Sequence, residues 1–273
     1  MSTNGSRAIG LIVGDITNPF FTSLAQGIGT ALEQSGGAVL LVADCQEDTA
    51  RQARLAAQLR AHGADAILIT VPHSPELLSQ ESGPVVAIDR AQGVPYVSVD
   101  NLLGGRLATQ HLLREGYARP GFLYAMPDLS PVQDRRQGYR EALRKAGVQP
   151  ESALEVDCGE LTYDAAVVGA ERLFEAGADA IFAINDVLAS AALAAAASLG
   201  KQVPGDAGVV GYDDTPMAAW PTLNLTSVAQ DMEAIGREAA QMVLRLVSRP
   251  GAKVEPSVLP PRLVVRASSR RSA

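Results

Sequence analysis

Aromatic residues make up only 4% of this 273-residue sequence, and cysteine and histidine are scarcer still. The two cysteines, Cys45 and Cys158, lie in different halves without a CxxC spacing, which favours reduced thiols in a cytoplasmic protein over a disulfide scaffold. The three histidines, His62, His73 and His111, are scattered and lack the spacing of metal ligands. We therefore expect no metal site and no cofactor.

Positive charge is also in short supply, with 23 Lys and Arg residues against 30 Asp and Glu residues and a formal net charge of -7. Because phosphate contacts need clustered Lys and Arg, the sequence as given is not expected to bind a polyanion by itself. No apolar run approaches the roughly 20 residues that span a bilayer, and no secretory signal precedes the first apolar run. These absences predict a cytoplasmic protein without membrane contact.

The signatures of common enzymes are missing as well. The turn after the first apolar run reads GDITNPFF, which lacks both the GxGxxG fingerprint and the Walker glycine loop that cradle phosphates. No serine stands in a GxSxG elbow. Asp213 and Asp214 are adjacent residues after a predicted strand and should point in opposite directions. We therefore expect a protein that is not an enzyme.

What the sequence does contain is an alternation of short Val/Ile/Leu runs with amphipathic segments of helical length. In the first half IGLIV, VLLVA, AILIT and VVAI alternate with TSLAQGIGTALEQSG, TARQARLAAQLRAHG and a shorter segment near residues 76–80. The second half repeats the order with GFLYAM, AIFAI and GVVGY as its apolar runs. This order predicts a parallel sheet covered by helices on both faces in each half.

An internal echo indicates that one half is a copy of the other. The motif GADAI at residues 63–67 recurs at residues 177–181, and ALEQSG at residues 31–36 is echoed by ALRKAG at residues 142–147. We therefore predict an α/β fold with two doubly wound parallel-sheet lobes, joined by a hinge of three short crossings. The expected N-terminal lobe is 7–102 plus 231–259, and the expected C-terminal lobe is 103–230 plus 260–269, with tails 1–6 and 270–273.

Polar side chains follow the carboxyl ends of the predicted strands, which is where ligands bind open parallel sheets. They are Asp15 with NPFF, Asp89-Arg90, the loop from Asp128 to Arg135, Asn185-Asp186, Asp213-Asp214 and Gln230. Carboxylates, amides and guanidinium groups pair with hydroxyls, and an aromatic face covers the C–H surface of a sugar ring. The set is complementary to a carbohydrate.

Several of these residues also have a structural interpretation. Asn18 before Pro19 is a favourable helix start in any protein, and at least one of Phe20 and Phe21 should pack into the core. For Asp186 and Asp214 helix capping is the favoured interpretation.

The remaining positions are open or lean towards function. Asn185 fits backbone capping and ligand contact equally, Asp89-Arg90 can be a local ion pair, and Arg135 can be a solvated helix charge. Asp213 follows a strand directly and precedes a second acid, which favours a functional role.

With these residues assembled, the chain resembles the LacI/GalR family of bacterial transcription regulators in the region of their effector-binding core. The motifs that carry the resemblance are GLIVGDITNPFF, VVAIDR, VSVDNLLGGRLATQHLLREGYARPGFL, DRRQGYREAL, AIFAINDVLASAAL, VPGDAGVVGYDD, LTSVAQDMEAIGREA and LPPRLVVRASS. They extend from Arg7 to Ser269. The resemblance implies a periplasmic-binding-protein-like fold of type I.

The resemblance also implies a set of ligand contacts, closest to those of ribose-recognising members. They are Asp15, Asn18, Phe20, Phe21, Asp89, Arg90, Arg135, Asn185, Asp213 and Gln230. Phe21 is our first choice for the ring that covers the sugar. Leu161 stands where sugar-binding relatives often place a second ring, and Tyr163 or Trp220 are the candidates to replace it.

By resemblance, the function is that of a sugar-sensing core whose lobes close on the effector and thereby change operator binding. The family's helix-turn-helix headpiece is missing from this sequence, so operator DNA is expected to be a partner only through such a headpiece. A homodimer formed by the helices TSLAQGIGTALEQSG and TARQARLAAQLRAHG is implied, although their apolar stripes fit intrachain core equally. The alternative function is a periplasmic sugar-binding protein of an ABC uptake transporter.

Overall fold

The computed structural model describes residues 7–35, 37–70 and 83–271. The strands are β1 (Ala8–Val13), β2 (Val39–Asp44), β3 (Ala66–Thr70), β4 (Val85–Ile88), β5 (Tyr96–Val99), β6 (Pro120–Tyr124), β7 (Glu155–Asp157), β8 (Ala180–Ala183), β9 (Gly208–Asp213), β10 (Thr226–Ala229), β11 (Ser257–Leu259) and β12 (Arg262–Val264). The α-helices are α1 (Pro19–Gln34), α2 (Thr49–Ala61), α3 (Asn101–Arg114), α4 (Ser130–Lys145), α5 (Tyr163–Glu175), α6 (Asp186–Ser198) and α7 (Met232–Ser248), and 3-10 turns cover Ser152–Leu154 and Pro216–Ala219. The helical segment expected near residues 76–80 and His73 lie outside the described residues.

The chain divides into two compact units and passes from one to the other three times. The first unit contains the residues up to Val99 together with Asp231–Leu259, and the second contains Asp100–Gln230 and the residues from Pro260 onwards. The first passage therefore falls after Val99, whereas we expected it after residue 102. The reason is that α3 starts directly after its cap, Asp100, and packs against α4 and the strands of the second unit.

Each unit is built on a six-stranded sheet, and the two sheets share one strand order. The order is β11-β5-β4-β3-β1-β2 in the first unit and β12-β10-β9-β8-β6-β7 in the second. All neighbouring strands are parallel except β12, which runs antiparallel to β10. The predicted α/β fold with two sheets dominated by parallel strands is confirmed.

The repeated GADAI motif has the same local role in both units. Gly63 and Gly177 end α2 and α5 with φ angles of 90° and 88°, which glycine adopts without a Cβ penalty. The aspartate two residues later then accepts a hydrogen bond from the backbone at the start of a neighbouring strand. A carboxylate oxygen of Asp65 accepts the first N–H of β1 at 3.1 Å, and one of Asp179 accepts the N–H just before β6 at 2.8 Å.

The first sheet is covered on both faces, as the nearly continuous burial of β1 requires. Ile9, Leu11 and Val13 pack with α1 and α7, while Ile12 points to the other face and packs with Ala56 of α2. In the second unit, the buried side chains of the sheet and of α3 to α6 form one continuous cluster. No helix within the described ranges is long and apolar enough to cross a bilayer.

The helices α3 and α4 approach each other through glycine. A Cβ atom on Gly138 would overlap the backbone carbonyl of Leu102, and one on Gly105 would overlap the carbonyl of Arg135. Because backbone atoms cannot move aside as a flexible side chain can, any larger residue must push the two helices apart. The register of α4, and with it the position of Arg135, depends on these two glycines.

We expect Gly138→Ala to lower the free energy of unfolding by about 1–3 kcal/mol, because the new methyl group meets backbone atoms. The matched control is Gly29→Ala, which lies inside α1 and would meet only a side-chain carbon of Leu40 at 3.9 Å. This change should stabilise the protein by up to about 1 kcal/mol, because alanine is the better helix former. Urea denaturation followed by circular dichroism measures both, and equal effects of the two substitutions would contradict the tight α3–α4 packing.

Candidate functional site

The turn from β1 to α1 is held by the side chains of Asp15 and Asn18. One carboxylate oxygen of Asp15 accepts the backbone N–H of Thr17 at 2.9 Å and its hydroxyl at 2.7 Å. The amide oxygen of Asn18 accepts the N–H of Phe20 at 3.0 Å, so Asn18 is the N-cap of α1, followed by Pro19. Capping uses the amide oxygen of Asn18 and fixes the orientation of its NH2 group. That NH2 group can donate a hydrogen bond to a ligand.

The two rings of this turn divide between core and surface. Phe21 is 6% exposed and packs into the core with β1, while Phe20 is half-buried and contacts Phe21 edge-on, with the ring centroids 5.0 Å apart. The expectation that Phe21 covers the sugar stays a prediction, and its ring lies in the core of the first unit. Successive helix residues point about 100° apart, so burying one ring turns the other outwards, and Phe20 is the ring at the surface.

Asp89 and Arg90 follow β4, at the same edge of the first sheet as the β1–α1 turn. Asp89 has a φ angle of 83°, an unusual conformation for a residue other than glycine, and its carboxylate accepts the hydroxyl of Ser98 at 2.9 Å. Arg90 is exposed. Only β3 separates β4 from β1 in the sheet, so the ends of β4 and β1 lie about 10 Å apart across the strands.

In the second unit, Arg135 is the most constrained member of the predicted set. It is 8% exposed, its Nε donates to the amide oxygen of Asn101 at 2.8 Å, and its Nη1 donates to the carbonyl of Ile184 at 2.5 Å. Its guanidinium carbon lies 3.6 Å from the centroid of the Tyr212 ring, on which it stacks. The alternative of a solvated helix charge is therefore wrong.

Asn185, Asp213 and Gln230 lie at the ends of β8, β9 and β10. Asn185 caps α6 by accepting the N–H of Leu188 at 2.8 Å, and it is 5% exposed. Asp213 has a φ angle of 100° and accepts the amide N–H of Gln230 at 2.7 Å. Non-glycine residues in such sparsely populated conformations cluster at functional sites.

The structure thus brings four predicted residues of the second unit together. Arg135 donates to the carbonyl of Ile184, which precedes Asn185, and stacks on Tyr212, which precedes Asp213. The carboxylate of Asp213 in turn accepts a hydrogen bond from the side chain of Gln230. The edge of the sheet presents a guanidinium, a carboxylate and two amides within one connected set. Such a set can donate to and accept from several hydroxyls of one ligand.

The three further ring candidates have different surroundings. Leu161 is partly buried against the core of the second unit. Tyr163, the first residue of α5, is 46% exposed, and Trp220, which follows the 3-10 turn after β9, is 57% exposed. Both rings therefore lie in segments that follow the carboxyl end of a strand, and both present an open face to solvent.

Asp186 and Asp214 are not helix caps. Asn185 performs the capping of α6, and the carboxylate of Asp186 is turned into the protein, where it is 1% exposed. Asp214 forms an ion pair with Arg266 at 2.7 Å. The expectation of capping fails here because both carboxylates have partners that are far away in the sequence.

One residue pair resembles catalytic machinery but is inaccessible. Nε2 of His111 lies 2.8 Å from the hydroxyl of Ser269, and Nδ1 lies 3.9 Å from a carboxylate oxygen of Glu115. His111 is 4% exposed and Ser269 is fully buried, so no substrate reaches the hydroxyl. Burial also lowers the pKa of His111. The pair ties the C-terminal segment to α3.

The thiols and the acids offer no other reactive centre. Burial raises the pKa of Cys45, and it raises the pKa of Cys158 to about 11, so both stay protonated at neutral pH. Within residues 7–35, 37–70 and 83–271, no three His, Cys, Asp or Glu side chains are grouped to hold a metal ion.

Comparison with known proteins shows the family of this chain. The periplasmic binding protein-like domain family matches residues 109–269. The HTH-type transcriptional regulator CelR of Thermobifida fusca is 33% identical, over 97% of this chain and 82% of its own length. This chain belongs to the LacI/GalR family of transcriptional regulators.

Other members of the LacI/GalR family are similar over nearly the whole chain. The ribose operon repressor of Halalkalibacterium halodurans is 29% identical, over 97% of this chain and 80% of the repressor. The solved structure of a transcriptional regulator CelR–cellobiose complex has a TM-score of 0.86 at 32% identity and covers 97% of this chain and 86% of that chain. The resemblance noted in the sequence motifs is confirmed.

Asn101 is a partner of Arg135 that the sequence did not reveal. It is 3% exposed, begins α3 and holds Nε of Arg135. The available signal was its place in VSVDN, where a polar residue follows the carboxyl end of β5 as Asn185 follows β8. We passed over it because nothing in the sequence links it to a residue 34 positions away.

The buried contacts of Arg135 give a prediction for stability. Arg135→Met should lower the free energy of unfolding by about 3 kcal/mol, because the acceptor atoms of Asn101 and Ile184 lose their donors inside the protein. Arg144→Met, the same change at an exposed position of α4, should stay within about 0.5 kcal/mol of the wild type. Urea denaturation of both variants measures these changes. An unchanged free energy of unfolding in Arg135→Met would show that the buried contacts of Arg135 do not stabilise the fold.

Proposed function

We propose that this chain is the effector-sensing core of a LacI/GalR-family repressor and that its effector is a sugar, with ribose as the first candidate. The observation that carries the proposal is the connected set of Arg135, Asn185, Asp213 and Gln230 at one edge of the second sheet. A buried guanidinium beside a carboxylate and two amides matches the alternating donors and acceptors of a polyol.

The first unit carries a second set of candidate sugar contacts. Asp89, Arg90 and Asn18 add a carboxylate, a guanidinium and an amide, and the half-buried ring of Phe20 adds an aromatic face. The C–H surface of a sugar packs on such a face while its hydroxyls bond to the polar groups. We propose Phe20 for this role in place of Phe21, with Asp15 holding the turn that carries it.

A sugar favours the conformation of the protein to which it binds more tightly. In a repressor, that preference changes operator affinity by the free energy that couples the two sites, typically about 1–3 kcal/mol. The DNA contact itself belongs to a headpiece of the family's helix-turn-helix type and not to this acidic core, whose formal net charge is -7. Regulation of this kind takes place in the cytoplasm.

The names of the relatives indicate two candidate sugars and one class of protein. The relatives compared above include a repressor of a ribose operon and a regulator in complex with cellobiose, so a pentose and a glucose disaccharide both belong in any test. The named relatives are transcriptional regulators, which favours a regulator over an uptake-transporter subunit and over an enzyme.

Isothermal titration calorimetry with D-ribose, D-xylose, D-glucose and cellobiose tests the proposal. We expect one of these sugars to bind, and its affinity to fall at least about tenfold in Arg90→Ala, because a charge-assisted hydrogen bond contributes about 1.5–3 kcal/mol. The control is Arg54→Ala, which removes an exposed guanidinium from α2 of the same unit. Binding of no sugar, or equal binding by both variants, would contradict the proposed site.

The proposed homodimer needs a surface on the first unit. The apolar stripe of α1 is not that surface, because Leu24, Ile28 and Leu32 are fully buried in the core of their own unit. What remains is β2, the edge strand of the sheet, with α1 on one face and α2 on the other. Its Val39 and Val42 are 50% and 44% exposed. We propose that this edge is the contact between two copies.

Sedimentation velocity tests the dimer. The double variant Val39→Lys, Val42→Lys should shift the chain from dimer to monomer, because two buried charges without partners oppose association. Val168→Lys is the matched control, since Val168 is 57% exposed on α5 of the second unit and should leave the dimer intact. A monomeric wild type refutes the dimer, and a double variant that stays dimeric moves the contact elsewhere.

A further inference from the structure

Asp186 has a buried carboxylate that the proposed sugar contacts do not use. It is the first residue of α6, next to Asn185, and it is 1% exposed. One of its oxygens, Oδ2, accepts both the backbone N–H of Thr215 at 2.7 Å and the hydroxyl of Thr215 at 2.8 Å. The other, Oδ1, accepts the hydroxyl of Ser227 at 2.6 Å. Three donors from two different segments thus converge on one side chain.

Space for this carboxylate is provided by glycine. A Cβ atom on Gly211 of β9 would overlap Oδ1 of Asp186, so no other residue at position 211 leaves the carboxylate in its place. The hydroxyl of Ser227 also accepts the backbone N–H of Asp214 at 3.0 Å. The carboxylate therefore holds Thr215 directly and Asp214 through Ser227.

The segment held in this way is the turn that presents Asp213. Asp213 and Asp214 have φ angles of 100° and 51°, so two consecutive residues other than glycine are in left-handed conformations. Such a backbone persists only when its surroundings fix it. On its other side, the turn has an ion pair between Arg266 and Asp214 at 2.7 Å, and the side-chain amide of Gln230 donates to the carboxylate of Asp213 at 2.7 Å.

We propose that Asp186 is a positioning residue for the sugar site, which holds the turn from Asp213 to Thr215 in its left-handed conformation and so aims the carboxylate of Asp213. This inference rests on the function proposed above, because it needs Asp213 to contact the sugar. Asp186 itself touches no sugar. It acts only through the backbone of the turn and through Ser227.

A consequence is that sugar affinity depends on the charge of Asp186. Burial raises the pKa of this carboxyl to about 6, against the hydrogen bonds from Ser227 and Thr215, and the nearby carboxylate of Asp214, itself paired with Arg266, raises it further. Protonation turns one acceptor into a donor, so at least one of the three hydrogen bonds is lost. We therefore expect affinity to fall as the pH drops through about 6.

Folding stability responds to the same proton in the opposite direction. Because the pKa of Asp186 is raised in the folded protein from its ordinary 3.8 to about 6, the folded state binds the proton more tightly than the unfolded chain. In this pH range acidification therefore stabilises the fold with respect to this group while it weakens sugar binding. A residue with a merely structural role would not separate the two responses.

The experiment compares wild type and Asp186→Asn, whose amide imitates the protonated acid. With whichever of D-ribose, D-xylose, D-glucose and cellobiose the wild type binds, calorimetry at about pH 7.5 should show affinity about tenfold weaker in the variant. At about pH 5 the two affinities should agree within about twofold, since the wild-type acid is then protonated. Over the same interval the melting temperature of the wild type should rise relative to that of the variant.

The matched control is Asp206→Asn, which changes the same charge at the other end of β9, where an exposed carboxylate accepts the backbone N–H of Gln202 at 2.9 Å. It should leave both affinity and its pH profile unchanged. If Asp186→Asn does not fold, Ser227→Ala removes the link to the N–H of Asp214 and should also weaken binding about tenfold.

The outcomes separate the two proposals. If the wild type binds a sugar and Asp186→Asn binds it equally well at about pH 7.5, or if its deficit persists unchanged at about pH 5, the positioning role is refuted while the sugar site stands. If the wild type binds none of the four sugars at either pH, both the proposed function and this inference are refuted. A deficit that vanishes on acidification supports both.

Discussion

The site of the second unit depends on one physical constraint, which is that the buried guanidinium of Arg135 must have partners. A cation removed from water is tolerated only when its N–H groups find acceptors and its charge finds a compensating surface. Asn101, the carbonyl of Ile184 and the ring of Tyr212 meet that need from three different elements. The positions of α3, α4, β8 and β9 are therefore fixed relative to one another around this one side chain.

The duplicated plan explains why the polar residues recur and why they differ. β4 and β9 hold the same place in the strand order of their sheets, and an aspartate with positive φ stands at the end of each, Asp89 at 83° and Asp213 at 100°. Their partners have diverged, since Asp89 bonds to Ser98 and Asp213 to Gln230. One framework thus supplies the same kind of acceptor twice, each in its own setting.

A sensing domain must hold its contacts ready and still respond to the ligand. The left-handed turn at Asp213 and the buried carboxylate of Asp186 both lower the stability of the fold at neutral pH, and natural proteins retain such features mainly at functional sites. The buried pair of His111 and Ser269 is different, because it is fully enclosed and ties the C-terminal segment to α3.

The sequence by itself determined the order of strands and helices, the two repeated sheets, the cap at Asn18 and the edge at which polar residues gather. These features follow from local rules, namely periodicity, capping and the chain direction of parallel strands. Only the tertiary structure decided that Phe20 and not Phe21 reaches the surface, that Asp186 turns inwards, and that Asn101 holds Arg135. The reason is that each of these outcomes depends on contacts between residues distant in the chain, which local patterns do not encode.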